Sequence, residues 1–132
     1  MSTDADLLAL LVAVPNLTVH DGYVDADETL KVISIPLPYV VFYSTPGRDN
    51  DDRQSGAVAG RVVEFSITAV GETREQAKWA LDKARTALSR KRLNGNLIKR
   101  ADDNQFVRRD DDYTRPGNLP IFYGVDRYAV AV

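Results

Sequence analysis

The sequence predicts an α+β fold: a mostly antiparallel sheet with a long helix packed on one face and a short N-terminal helix. Two neighbouring stretches carry this prediction. Residues 61–71 alternate between apolar and polar side chains, which is typical of a strand with one buried face. Residues 73–95 then carry apolar side chains at helical spacing. A helix packed across a sheet buries both apolar surfaces, and further apolar runs on either side supply the other strands.

The long helix has a recognisable beginning and end. Thr73 and Gln76 have the spacing of a capping box, in which each side chain satisfies a free backbone N–H. The apolar stripe consists of Ala77, Leu81, Ala84 and Leu88. We expect the helix to stop at Asn94-Gly95, since this pair favours a left-handed C-terminal conformation.

Before this unit, the chain begins with a predicted helix over residues 2–14, which Pro15 ends. We expect its leucine-rich side to pack on the same domain rather than on a neighbouring copy. Residues 17–24 form a first predicted strand, residues 30–35 a short apolar stretch, and residues 39–44 a central strand that is apolar on both faces.

Residues 44–60 show no hydrophobic periodicity, and we expect them to form a long flexible loop within the single domain of residues 1–132. Connections of this length are commonly functional or disordered. The charged centre of the loop contains Arg48, Asp49, Asp51, Asp52 and Arg53. It is either a solvated loop or an arm that becomes ordered against a partner.

After the long helix, residues 97–100 and 105–109 are candidate strands, and residues 110–116 are charged and turn-like. The sequence of residues 115–118 is a strong turn signal. Residues 121–132 form a long final strand with a bulge expected at Gly124. Its two faces are predicted as Val125, Arg127, Ala129 and Ala131 on one side, and Asp126, Tyr128, Val130 and Val132 on the other.

The composition narrows the functional classes. The chain has 132 residues, a formal net charge of −2, one histidine and no cysteine, so disulfides and thiolate metal sites are excluded. An acidic balance gives no general attraction to nucleic acid. The sequence contains no apolar run of about 20 residues, the length that a membrane-spanning helix needs, so we expect no membrane association and folding inside a cell.

No arrangement of residues predicts catalysis. His20 is expected to be a surface or edge residue, and the acidic groups at 49–52, 102–103 and 110–112 are expected to be solvated turns rather than metal ligands. Gly56 and Gly60 lack the Lys-Ser/Thr of a phosphate-binding loop. We therefore predict a protein that is not an enzyme and has no cofactor or metal.

Three residues suggest contacts between subunits. Trp79 lies roughly 140° from the centre of the apolar stripe, among polar residues, with Lys83 one turn further along. It is either an interface anchor or is covered within the chain by a loop or by the N-terminal helix. Glu64 lies on the polar side of its strand, which must face water, a lumen or another subunit.

Four segments together resemble the tail terminator (tail completion) proteins of long-tailed bacteriophages of the siphophage type. They are PYVVFYSTPG (38–47), VVEFSITAVG (62–71), TREQAKWA (73–80) and DRYAV (126–130), and the resemblance extends over most of the chain except residues 97–118. The resemblance implies a small structural protein of the virion. It would form a ring, most commonly a homohexamer, that caps the tail tube, stops tube polymerisation and provides the surface for head-tail joining.

The resemblance also implies partners and a location. The partners would be further copies of the chain, the tail tube protein and the head-tail connector or stopper protein. The location would be the neck end of the phage tail, after assembly in the host cytoplasm. DNA would pass through the ring without specific binding, and acidic loops suit such a channel because they repel phosphate. The loop over residues 48–53 would contact the tube or the lumen.

Two alternatives remain at this point. The first is another phage neck component, a stopper or an adaptor, which would share the assembly chemistry but have a different partner. The second is a small metal-dependent nuclease using Glu64 with one acidic cluster. The acidic net charge and the lack of a nearby lysine on the strand of Glu64 count against the nuclease.

Overall fold

The computed structural model describes residues 3–22, 29, 31–44, 48–51, 58–89, 91–93, 96–102 and 106–131, and this part of the chain contains two helices and nine strands. The helices are α1 (Thr3–Val12) and α2 (Arg74–Leu88). The strands are β1 (Thr18–Asp21), β2 (Tyr39–Ser44), β3 (Arg48–Asp51), β4 (Val58–Gly71), β5 (Arg92–Leu93), β6 (Asn96–Leu97), β7 (Lys99–Asp102), β8 (Arg108–Arg115) and β9 (Leu119–Ala131).

Seven of these strands form one sheet, with the long strands β4 and β9 at its centre. The order is β1-β2-β4-β9-β7; β3 continues along β4 beyond β2, and β8 continues along β9 beyond β7. All neighbours are antiparallel except β1 and β2, which are parallel. The predicted α+β class and the mostly antiparallel sheet are confirmed.

Both helices pack on the same face of the sheet and form what we call the helix-side core. Leu7 and Leu11 of α1 are fully buried there, so the N-terminal helix packs on its own domain, as predicted. The alanines of α2 are small enough to bring the helix close to the strands. Gly124 allows the same close approach, because a Cβ at this position would lie 2.8 Å from Leu81 Cδ1. The predicted bulge at Gly124 is wrong: β4 and β9 pair in unbroken register from Phe122 to Ala131.

The other face of the sheet is covered over only part of its area. The opposite-face core contains Ile33, Tyr39, Val41, Val70 and Ile121, with Ile35 and Leu37 packed against it. The segment containing Ile33, Ile35 and Leu37 forms no strand; it makes a single parallel bridge between Val32 and Thr114. Farther along the same face, Tyr43, Glu64, Ser66 and Arg127 form an uncovered area that we call the open sheet face.

The beginning of α2 is close to the prediction, but its end is not. Thr73 Oγ1 accepts a hydrogen bond from the Gln76 N–H at 3.1 Å, while the Gln76 side chain accepts from the N–H of Glu72, one residue before the cap, at 2.6 Å. The helix ends at Leu88, where Ser89 turns into an extended conformation. The predicted end at Asn94-Gly95 is therefore wrong, and those two residues lie outside the described part of the chain. The early end lets the chain turn back and bury Ile98 in the helix-side core.

Residues 44–60 are more regular than the sequence indicated. Strand β3 pairs with residues 58–62 of β4, so the prediction of an irregular connection is wrong for these two segments; residues 45–47 and 52–57 lie outside the described ones. The sequence of β3 has no apolar alternation that could have indicated a strand; its backbone pairing with β4 defines it.

The C-terminal third follows the predicted pattern in its last strand. Residues 110–115, predicted as a turn, belong to β8, and the turn itself is confirmed at residues 116–118, with positive φ at Gly117 and Asn118. In β9, Asp126, Tyr128 and Val130 are buried, as the two predicted faces require.

Candidate functional site

A charged cluster lies within the helix-side core. Asp126 of β9 is fully buried, and its carboxylate is held by two arginines from different elements. Arg100 of β7 donates a hydrogen bond from Nη2 to Oδ1 at 2.7 Å, and Nη2 of Arg85 in α2 lies 3.5 Å from Oδ2. A buried carboxylate is tolerated only when paired and hydrogen-bonded, so this cluster ties α2 and β7 to the central strand.

Tyr128 completes this cluster from the apolar side. Its hydroxyl lies 3.5 Å from Asp126 Oδ2, and its ring stacks on Phe65 with centroids 5.3 Å apart. Burial raises the pKa of Tyr128 far above its ordinary value, and the neighbouring Asp126 carboxylate raises it further. The hydroxyl therefore remains a neutral donor to Asp126 at every physiological pH.

A pocket of about 430 Å³ opens beside this cluster, and we call it the cationic pocket. Strand β7 pairs with residues 127–129 of β9 and β8 pairs with residues 119–123. Among the described residues, no strand pairs with residues 124–126 on this edge of β9. The charged side chains that line the pocket are Arg74, Lys78, Arg85, Arg100, Asp82 and Asp126, a net charge of +2. These groups can bind an oxyanion by charge-assisted hydrogen bonds.

A second pocket of about 280 Å³ lies at the open sheet face. It contains Glu64, which the sequence indicated as a contact residue, and the structure places this carboxylate in an exposed position. Ser66 pairs with Arg127 across β4 and β9, so acidic, hydroxyl and basic groups share the surface. A surface of this mixed character suits polar contacts with another protein.

Trp79 is partly covered within its own chain. The side chain is half-buried and packs against the helix-side core, which supports the prediction of cover by the same chain for part of the ring. The Lys83 ammonium lies 5.8 Å from the centre of the ring and is exposed. The remaining exposed part of Trp79 is available to a partner, and its role as an interface anchor stays a prediction.

The structure divides the predicted contact residues between two regions. Arg48, Asp49 and Asp51 lie on β3, next to the part of β4 that leads to Glu64, whereas Trp79 and Lys83 lie on α2. Asp52 and Arg53 lie outside the described residues. Sequence reasoning missed the Asp126 cluster and the cationic pocket. The sequence did contain a signal for the cluster: on the last strand, Asp126 lies on the same predicted face as the apolar Tyr128 and Val130.

Among the described residues, no group of three histidine or acidic side chains is arranged to hold a metal ion. In the same part of the chain, no helix is long and apolar enough to cross a membrane. His20 is half-buried, with its ring edge against Tyr39 at 5.3 Å. The sequence matches no model of a known protein family, and no curated protein gives a significant match.

Proposed function

We propose that this chain is a tail terminator subunit: a structural protein that forms a ring on the phage tail tube, stops tube polymerisation and presents a surface for head-tail joining. The proposal is supported first by the resemblance of residues 38–47, 62–71, 73–80 and 126–130 to that family. Residues 62–71 form most of β4, residues 73–80 begin α2 and residues 126–130 lie in β9, so three of the four segments belong to the sheet and helix at the centre of the domain.

One structural observation supports an assembly role most directly. Strand β4 continues beyond the end of its pairing with β9, and its residues 58–61 pair with β3. The paired segments, residues 48–51 and 58–61, form a two-stranded arm that continues from the centre of the sheet. The sequence of β3, RDND, consists of charged and polar residues. An arm of this kind is well placed to reach a neighbouring subunit or the tube.

The open sheet face and the exposed part of Trp79 provide further contact surfaces on other sides of the domain. Different surfaces on one subunit are what a heterologous, closed ring requires, because each subunit contacts two neighbours through unlike patches.

The direct test is tube capping. Purified tail tube protein is allowed to polymerise with and without this protein, and tube length and end density are measured by negative-stain electron microscopy. We expect shorter tubes that carry a ring at one end. Unchanged elongation and bare ends would contradict the assignment; binding to a purified head connector in that case would point to a stopper or an adaptor.

The arm can be tested in the same assay. Deletion of residues 49–54 should abolish capping while the protein still folds, because β3 pairs with the first residues of β4, at the end of that strand's pairing with β9. The thermal melt of the variant, followed by circular dichroism, is the control. Full capping by a folded deletion variant would show that the arm does not contact the tube.

A further inference from the structure

One buried donor beside the cationic pocket has no hydrogen-bond acceptor in the described part of the chain. Arg85 and Arg100 are engaged with Asp126, but the buried Nε of Arg85 has no hydrogen-bond acceptor among the described residues. Buried donors without acceptors are costly and uncommon in folded proteins. Arg74 and Lys78 are exposed beside this pocket and add two further positive charges. A carboxylate entering here would meet a favourable potential from these cations.

The pocket also has an apolar side, which restricts the ligand. Phe106 is 74% exposed although it is a large apolar residue, and with Leu81 and Val107 it lines the same pocket as the cations. A small inorganic anion would leave this apolar surface in water. A protein segment with carboxylates and an apolar side chain would use both parts of the site.

The same chain presents a segment with this chemistry at the end of the β8–β9 hairpin, residues 110–119, which we call the acidic tip. The pairing of β8 with β9 shifts between Arg109 and Thr114, so the intervening residues bulge from the strand. Within the bulge, Asp110 accepts hydrogen bonds from the N–H groups of Asp112 and Tyr113 at 2.8 and 3.1 Å, which fixes its shape. Asp111 and Asp112 are exposed. Their carboxylates have no cationic partner among the described residues.

The acidic tip also has an apolar side chain and no free cation of its own. Leu119 is 49% exposed, and Arg115 is engaged through Glu72 at 3.7 Å and the carbonyl of Pro120 at 3.1 Å. The bulge lies opposite residues 120–122 of β9, and the pocket lies beside residues 124–126. The two are therefore separated by about four residues, or roughly 13 Å, along this strand. The tip therefore does not fill the pocket of its own chain.

We propose that the cationic pocket binds the acidic tip of a second copy of this chain. Asp111 or Asp112 of one copy places its carboxylate among the cations of the other, and Leu119 covers Phe106. The proposal rests on the self-association contained in the proposed function and names the two surfaces that carry it. The contact depends on charge complementarity between the cationic pocket of one copy and the acidic tip of the other.

Reciprocal charge reversal tests the proposal. One variant carries Arg74→Glu and Lys78→Glu, which reverse exposed charges at the pocket without touching the Asp126 cluster. The other carries Asp111→Lys and Asp112→Lys. A control for the pocket variant, Lys91→Glu with Lys99→Glu, makes the same change in net charge as Arg74→Glu with Lys78→Glu, at exposed positions outside the pocket. Mass is measured by light scattering after size exclusion and by sedimentation, over a concentration series at low and high salt.

We expect the wild type and the Lys91/Lys99 control to associate, and each reversed variant alone to associate at least about tenfold more weakly. Mixing the two reversed variants should restore association, because each pocket then meets a tip of opposite charge in both directions. Added salt should weaken the wild-type complex.

Three results would overturn the proposal: a wild type that stays monomeric at the highest concentration reached, reversed variants that associate like the wild type, or a mixture that fails to recover. Binding of inorganic phosphate or citrate to the pocket, with association unaffected by the reversals, would identify a small-anion site instead. A different result would contradict the tail terminator assignment without affecting this contact. Restored association in the mixture together with uncapped tubes would keep this contact and remove the terminator function.

Discussion

Asp126 and Glu64 are carboxylates on the two central strands of one sheet, but Asp126 is buried and Glu64 is exposed. Asp126 points into the helix-side core and is bound by two arginines, whereas Glu64 lies on the open sheet face. The two strands are direct neighbours, so the difference comes from the face each side chain occupies. In a strand, one step in sequence moves a side chain to the other face. A carboxylate is therefore buried or exposed according to its parity with the apolar residues around it.

The strongest test of this comparison is Asp126→Ala. Removing the carboxylate leaves Arg85 and Arg100 beside the core without their common partner, and breaking a buried ion pair typically costs 3–5 kcal/mol. Because the Arg85 side chain is 39% exposed, we expect the lower end, about 3 kcal/mol, in the free energy of unfolding measured by urea denaturation.

A combined replacement separates the charge from the packing. Asp126→Leu with Arg85→Leu and Arg100→Met removes all three charges together and should recover most of the loss, since apolar replacement of a whole buried ionic group is often neutral. A loss below about 1 kcal/mol for Asp126→Ala would mean that the carboxylate is hydrated and that the contrast with Glu64 does not hold.

Gly124→Ala tests how tightly the helix-side face is packed. The added methyl group would lie 2.8 Å from Leu81 Cδ1 and 3.0 Å from Val107 Cγ2, closer than normal contact. Overpacking of this kind costs about 1–3 kcal/mol, and we expect about 2 kcal/mol in the same denaturation experiment.

The double variant provides the control for this prediction. In a Leu81→Ala background the new methyl group has space, so Gly124→Ala should cost much less there than in the wild type. Equal costs in the two backgrounds would show that Leu81 is not the obstacle.

Sequence patterns anticipated the elements that bury apolar surface. The stripe from Ala77 to Leu88, the alternation of residues 61–71 and the two faces of β9 are consequences of burial, and all three are present in the structure. Strand β3 was not predicted, because its sequence, RDND, has no apolar alternation. The helix end was misplaced because Asn94-Gly95 is a turn signal that fits a hairpin as well as a helix stop.

The candidate site was less predictable than the fold. Arg85, Arg100 and Asp126 are far apart in the chain and meet only when α2, β7 and β9 come together. Arg85 and Arg100 each have the sequence pattern of a solvated surface group, and only Asp126 shares the apolar side of its element. The cationic pocket depends on where β7 stops and β8 begins along β9, and no local sequence signal specifies this register.

Alkaline pH should affect the two faces alike, because each contains a buried tyrosine. Burial raises the pKa of Tyr39 on the opposite face to about 12, with smaller contributions from Tyr43 and Asp110, and burial raises that of Tyr128 on the helix side still further. A phenol whose pKa is higher in the folded state than the ordinary 10.0 contributes stability that is complete below pH 10 and is lost as the pH rises towards the folded value.

We therefore expect the melting temperature to fall between pH 10 and about 12, measured by circular dichroism. The control is Tyr128→Phe, which removes one of the two phenols and should show a smaller fall over the same range. A melting temperature that is constant across this range would show that both hydroxyls reach solvent in the folded protein.

The smallest effect on stability is expected for Glu64→Ala. The side chain is exposed on the open sheet face, and surface substitutions of this kind usually change the free energy of unfolding by less than about 0.5 kcal/mol. If this face contacts another subunit or the tube, the same substitution should weaken assembly while the melt is unchanged. Asp126→Ala should instead show its main effect in the free energy of unfolding, because it removes the common partner of Arg85 and Arg100. Urea denaturation and capping measured on the same two variants distinguish these cases. A loss above about 2 kcal/mol for Glu64→Ala would show that Glu64 supports the fold, and the division of carboxylates by strand face would then be wrong.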